Sequence, residues 1–138
     1  METRFRVPGA PQGKARPRVT RYGTYTPKKS REYEQRVREA WREAGAACFA
    51  DSPVCVEVTA VFAPPLSASR KRRTEMLVSG TPAKKPDADN ILKAVCDALN
   101  GFAWKDDAQV IEAHVRKVYG LTEGVTVTVR QYGKEEQT

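Results

Sequence analysis

The residues best suited to chemistry lie in KKPDADNILKAVCDALNGFAWKDDAQV, residues 84–110. Asp87 and Asp89 stand two apart, Lys93 follows Asp89 by four, and Asp106 or Asp107 offers a third acid. In an extended segment a spacing of two turns both side chains to one face. Pro86 favours such backbone at Lys85. Two converging carboxylates repel unless a cation lies between them. Ligation by oxygen alone favours Mg²⁺ or Mn²⁺. Lys93 falls on the same helix face as Asp89, where an ammonium can hold a scissile phosphate or offset charge in a transition state. Three acids, a lysine and a divalent ion are the parts of a phosphodiester hydrolase.

The same residues also suit plainer duties. Asp87 or Asp89 can cap a helix, Asp106 and Asp107 are ordinary turn residues, and Asp97 fits a helix's polar side. Spacing alone leaves both readings open.

The surrounding pattern predicts elements that could position these groups. TRFRV (3–7) alternates as a strand. PGAPQGKARPRVTRYGTY (8–25) reads as a loop. Its GAPQGK is one residue short of a P-loop and has Ala15 where a Ser or Thr is needed. Residues 26–49 predict a first helix, with Thr26 as N-cap and Pro27 at the first helical position. Its apolar stripe is Tyr33, Val37, Ala40, Trp41, Ala44 and Cys48. Residues 53–62 predict a half-buried strand. Ser67 or Ser69 can cap a short helix ending near Gly80.

A second main helix starts near Asp89 and ends about Asn100, with Ile91, Leu92, Val95, Cys96 and Leu99 inward. GFAWKDD is a turn. Residues 108–120 and 124–132 read as two strands joined at GLTEG in a hairpin, and the tail GKEEQT as a frayed end. The order implies an α+β fold: one domain over residues 1–138, with a mixed sheet of about four strands and two main helices packed on it.

Composition sets further bounds. A chain of 138 residues with 40% hydrophobic and 30% charged content suits one soluble globular domain. No apolar run is long enough for a membrane span. The N-terminus lacks the apolar core of a signal peptide, so the cytoplasm is the expected location. Cys48, Cys55 and Cys96 form no C-x-x-C pair, which argues against zinc and for buried reduced thiols. His114 is the sole histidine, with a structural or surface role expected. The net charge of +7 fits a polyanionic partner, although basic blocks also serve as solvated surface or meet acidic proteins.

Residues 84–110 closely resemble the signature of the RusA-like Holliday junction resolvases. That pattern runs from a basic residue through D-x-D-N-x-x-K-x-x-x-D-x-L to an aromatic residue before D-D-x-Q. Every element is present at matching spacing. The segments PGAPQGKARPRVT, YTPKKSREYE and SASRKRR are similar to parts of the family more loosely.

The resemblance implies a crossover junction endodeoxyribonuclease in DNA recombination and repair. It makes Asp87, Asp89 and Asp107 the essential metal-binding acids and Lys93 the catalytic-site lysine, with Asp106 beside the third acid. It implies Mg²⁺, with Mn²⁺ as a substitute and no small-molecule cofactor. It also implies a homodimer, with branched four-way DNA as the partner. Lys14, Arg16, Arg18, Arg70, Lys71, Arg72, Arg73, Lys84 and Lys85 would then contact DNA phosphates. The alternative is a non-catalytic basic protein that binds and shapes recombination intermediates.

Overall fold

A computed structural model describes residues 1–133 of the chain. The frayed end expected at GKEEQT lies, from residue 134 onward, outside the described residues.

Alternating apolar residues build the sheet. In β1 (Glu2–Pro8), Thr3, Phe5 and Val7 are buried and their neighbours exposed. In β4 (Val54–Phe62), Val54, Val56, Val58, Ala60 and Phe62 enter the core. In β6 (Gly124–Gln131), Val125, Val127 and Val129 do the same. With β5 (Val110–Tyr119) these strands form a four-stranded mixed sheet in the order β1-β6-β4-β5. β4 pairs in parallel with β5 and antiparallel with β6. Burial of each Val or Phe side chain contributes about 1.5–3 kcal/mol.

The hairpin expected at GLTEG does not form. β5 and β6 are consecutive in the chain, yet β4 lies between them. The chain leaves the end of β5, passes the end of β4, and returns on its far side. The Gly120 N–H donates to the Phe62 carbonyl at 2.9 Å. A Cβ on Gly120 would sit 2.5 Å from Val61 Cγ1, so the crossing needs glycine. A turn signal reports a change of direction. It does not report which strand pairs with which.

α1 (Lys28–Glu43) and α3 (Ala88–Leu99) contribute Tyr33, Val37, Ala40, Trp41, Ile91, Val95 and Leu99 to the one core. α1 is shorter than expected at both ends. Pro27, rather than Thr26, takes the N-cap position. At the other end, Gly45 has a φ of +110°, its N–H donates to the Arg42 carbonyl, and the Ala46 N–H donates to the Trp41 carbonyl. This Schellman arrangement satisfies the last carbonyls and stops the helix. Ala44 and Cys48 therefore leave the apolar stripe and are exposed, which corrects the expectation of three buried thiols.

α2 (Arg70–Ser79) begins at Ser69, whose Oγ accepts from the Arg72 N–H at 3.1 Å, and it ends at Gly80. The expected loop 8–25 contains a small exposed hairpin, β2 (Arg18–Thr20) with β3 (Gly23–Tyr25). Its strands are three residues long, too short for alternation to be seen. No helix among the described residues is long and apolar enough to cross a membrane.

Candidate active site

Three segments meet along one side of α3. The first is the helix start. Asp87 holds the N-cap position, but its side chain bonds no helix N–H, and Asp89 lies in the first turn. Both are exposed, and among the described residues neither side chain has a hydrogen bond or ion pair. The pair straddles a helix start and does not lie on an extended segment, so the one-face geometry of a period of two does not apply. The unpaired N–H groups at that helix end favour negative charge instead.

The second segment is the turn after α3. Trp104 is buried, and its indole N–H donates to Asp107 Oδ1 at 2.8 Å. Gln109 holds the turn in shape. Its Oε1 accepts from the N–H groups of Lys105 and Asp106, each at 2.9 Å. Its Nε2 donates to the carbonyls of Ala50 and Ser52, at 2.7 and 2.9 Å.

Burial pushes the Asp107 carboxyl above the usual carboxylate range. Repulsion from Asp97 and Asp106 adds to the rise, while the Trp104 hydrogen bond and the Lys93 ammonium oppose it. The Cys96 thiol is pushed up to about 12, by burial first and then by the charges of Asp107 and Asp97. Asp107 therefore acts on the stretch of α3 from Lys93 to Asp97, beginning roughly one helical turn past Asp89.

The third segment is the N-terminal loop. A Cβ on Gly13 would lie 3.0 Å from the Cβ atoms of both Pro86 and Asn90, so the loop runs tight against α3. The Lys14 N–H donates to the Asn90 carbonyl at 3.1 Å, and the Ala15 N–H to Ser30 Oγ at 3.0 Å. The Lys14 side chain is only 12% exposed, with Nζ at 3.0 Å from Glu34 and 3.2 Å from Asp97. Burial disfavours its charge, but the bonds to Glu34 and Asp97 outweigh this and the pKa rises. Between loop, α1 and α3 lies a cleft of about 670 Å³, with Arg16, Lys29, Lys85, Asp87 and Asn90 in its walls.

A family model described as Endodeoxyribonuclease RusA matches residues 8–130. The chain belongs to the RusA endodeoxyribonuclease family. A relative from Bacillus subtilis (strain 168), described as Uncharacterized protein YqaN, is 34% identical over 135 residues, covering 93% of this chain and 95% of the relative. The RusA match takes in all three segments that meet along α3, and RusA membership places the chain among hydrolases of DNA.

RusA-family nucleases use a metal, and the donors here suit a hard cation. Two unpartnered carboxylates stand at the helix start, and a third has a pKa raised partly by its acidic neighbours. As a set, however, Asp87, Asp89 and Asp107 do not bring oxygens within 4.8 Å of one another. Mg²⁺ is usually held by one or two carboxylates plus substrate phosphates, so a closed protein cage is not required.

The remaining sequence-predicted residues are spread out. Lys93 has a side chain 62% exposed, with Nζ 3.6 Å from Asp97. Lys14, Arg16 and Lys85 line the cleft, with the Lys14 ammonium engaged by Glu34 and Asp97. Arg18 is exposed on β2. Arg70 and Arg73 line a separate cleft with Leu121, while Lys71 and Arg72 are exposed on α2. Lys84 lies over the rings of Phe62 and Tyr119, and its carbonyl accepts from Lys117.

Sequence reasoning overlooked Glu34, Trp104 and Gln109, and gave Asp97 only the polar side of its helix. Asp97 and Gln109 stand in the RusA pattern itself, at K-x-x-x-D and D-D-x-Q. Their roles depend on contacts with distant segments, which spacing does not reveal.

Proposed function

We propose that this RusA-family chain is a Mg²⁺-dependent endonuclease that resolves four-way DNA junctions in recombination and repair. It would act as a cytoplasmic homodimer that makes paired phosphodiester cuts. The observation that carries this reading is the cleft that Lys14, Arg16, Lys29 and Lys85 line together with Asp87 at the start of α3. A groove for a phosphate chain and a place for a cation adjoin there.

Asp87, Asp89 and Asp107 are the residues that would hold the cation. Bound Mg²⁺ supplies an activated water and neutralises charge on the phosphate. Lys93 is exposed enough to reach a non-bridging phosphate oxygen. Its neighbour Asp97 lies nearer Lys14 than Lys93, which leaves the Lys93 ammonium available. Trp104 and Gln109 hold Asp107 in place. Arg16, Lys29 and Lys85 bind backbone phosphates, which positions the strand without reading its sequence. A two-fold dimer presents two such sites to two opposed strands, as junction resolution requires.

The test is a synthetic four-way junction incubated with the protein and Mg²⁺. Paired nicks at symmetrical positions, abolished by EDTA, are expected. Binding without any metal-dependent product would instead make the chain a junction-shaping protein.

A further inference from the structure

The opposite face of the sheet carries a second group of ligand atoms. Cys55 Sγ and one atom each from Glu112 and His114 all lie within 4.8 Å of one another. The His114 ring Nε2 is 3.0 Å from Glu112 Oε1. Cys55 is on β4, while Glu112 and His114 are on β5, the edge strand.

An irregularity in the strand pairing brings them together. Val54 pairs with Val110, but Cys55 pairs with Glu112, so Ile111 is the extra residue of a β-bulge. With regular pairing, Ile111 would oppose Cys55, and Glu112 would oppose Val56 on the core side. The bulge turns Ala113 and Val115 toward the core side and sends Glu112 and His114 to the open side, across from Cys55 and Glu57. Ile111 is left exposed.

We propose that Cys55, Glu112 and His114 form a site for a borderline divalent metal ion such as Zn²⁺, separate from the Mg²⁺ site on α3. A thiolate, an imidazole and a carboxylate match the ligand preferences of Zn²⁺ and not those of Mg²⁺. Three protein ligands, two of them on the exposed edge strand, leave the fourth tetrahedral position to water. The surrounding charges suit a divalent ion. Arg130 Nη2 lies 3.6 Å from Cys55 Sγ and 2.6 Å from Glu57 Oε1, so that guanidinium balances the neighbouring Glu57 carboxylate. The Cys55 thiolate and Glu112 then carry two negative charges, which one divalent ion neutralises. A bound ion cross-links the edge strand β5 to β4 immediately after the turn that holds Asp107.

Cobalt(II) tests the site, because a cobalt–thiolate bond gives near-ultraviolet charge-transfer absorption that oxygen ligands do not. Reduced, EDTA-treated full-length protein is titrated with Co²⁺ in excess Mg²⁺. The expected result is one equivalent of a charge-transfer species, displaced by Zn²⁺. It should be absent in C55S and retained in C48S and in a D87N/D89N/D107N variant. H114A and E112Q alter exposed side chains, so they test the site without disturbing the core. Each should weaken Co²⁺ binding by more than the roughly 10–100-fold that loss of an outer partner causes. Absence of the charge-transfer band in the wild type, or its survival at full affinity in C55S or H114A, overturns the assignment.

Discussion

The indole N–H of Trp104 holds Asp107 Oδ1 at 2.8 Å, tying an acid of the RusA signature to the buried core. That hydrogen bond stabilises the carboxylate, yet burial and the nearby charges of Asp97 and Asp106 outweigh it and the Asp107 pKa is raised. The acid is thus fixed in position in a setting that disfavours its charge.

The Asp107 carboxyl binds its proton more tightly in the folded chain than in the unfolded one. Stability therefore falls as pH rises from the ordinary value of 3.8 through the raised folded value, and the ionised side chain is a standing cost above that window. Asp107→Asn removes the charge and keeps an oxygen for Trp104. We expect D107N to melt at or above the wild-type temperature at pH 7, with the advantage gone at pH below 3.8. Junction cleavage should fall by ~100-fold or more, the scale on which one electrostatic or proton-transfer group acts. A D107N protein clearly less stable at pH 7 would show this account of the site's electrostatics to be wrong.

Lys14 joins the N-terminal loop to α1 through Glu34 and to α3 through Asp97. Lys14→Met leaves Glu34 without its cation and Asp97 with only Lys93, 3.6 Å away. The loss should be about 2 kcal/mol, between the values for exposed and fully buried pairs. Because the Lys14 pKa is raised, its contribution is complete below 10.5 and is lost as pH rises through the folded value. Urea midpoints of wild type and K14M should differ at neutral pH and converge in strong alkali. Equal midpoints at neutral pH would show that the clamp carries no stability.

Gln109 makes four hydrogen bonds that hold the Asp106–Asp107 turn to the loop before β4. Gln109→Ala should lower stability by about 1–2 kcal/mol and slow cleavage while leaving DNA affinity within a small factor. The informative measurement is cleavage at saturating DNA alongside a binding titration. Loss of binding equal to loss of cutting would make Gln109 part of the DNA surface.

Arg16, Lys29 and Lys85 border the cleft, whereas Arg70 and Arg73 border another. If phosphates run through the first cleft, Lys85→Ala should reduce the slope of log affinity against log salt by about one. An Arg70→Ala change should alter that slope less. The reverse ranking, read from binding titrations at several salt concentrations, would move the DNA path to α2.

Much of the fold was legible because it rests on local pattern. Alternation identified β1, β4 and β6, the helical stripe identified α1 and α3, and Ser69 and Gly80 bounded α2. What escaped depends on the whole chain. The parallel pairing of β4 with β5 overrode the local hairpin signal at GLTEG, and positive φ at Gly45 ended α1 before Cys48. In the site, the D-x-D, Lys93 and D-D elements were visible as spacings, and the RusA pattern gave those spacings a meaning. The ion pairs of Lys14 with Glu34 and Asp97 were not visible, because those residues meet only after three segments fold together. The bulge at Ile111 was hidden for a similar reason, since it exists only relative to β4.

The central claim is that the acids at and beside α3 share a metal with a DNA phosphate. The most direct measurement is anomalous diffraction from crystals of the protein bound to a four-way junction and soaked in Mn²⁺. We predict a manganese peak bounded by Asp87, Asp89, Asp107 and a backbone phosphate. Manganese absent from that position, with the junction well ordered in the cleft, would contradict it.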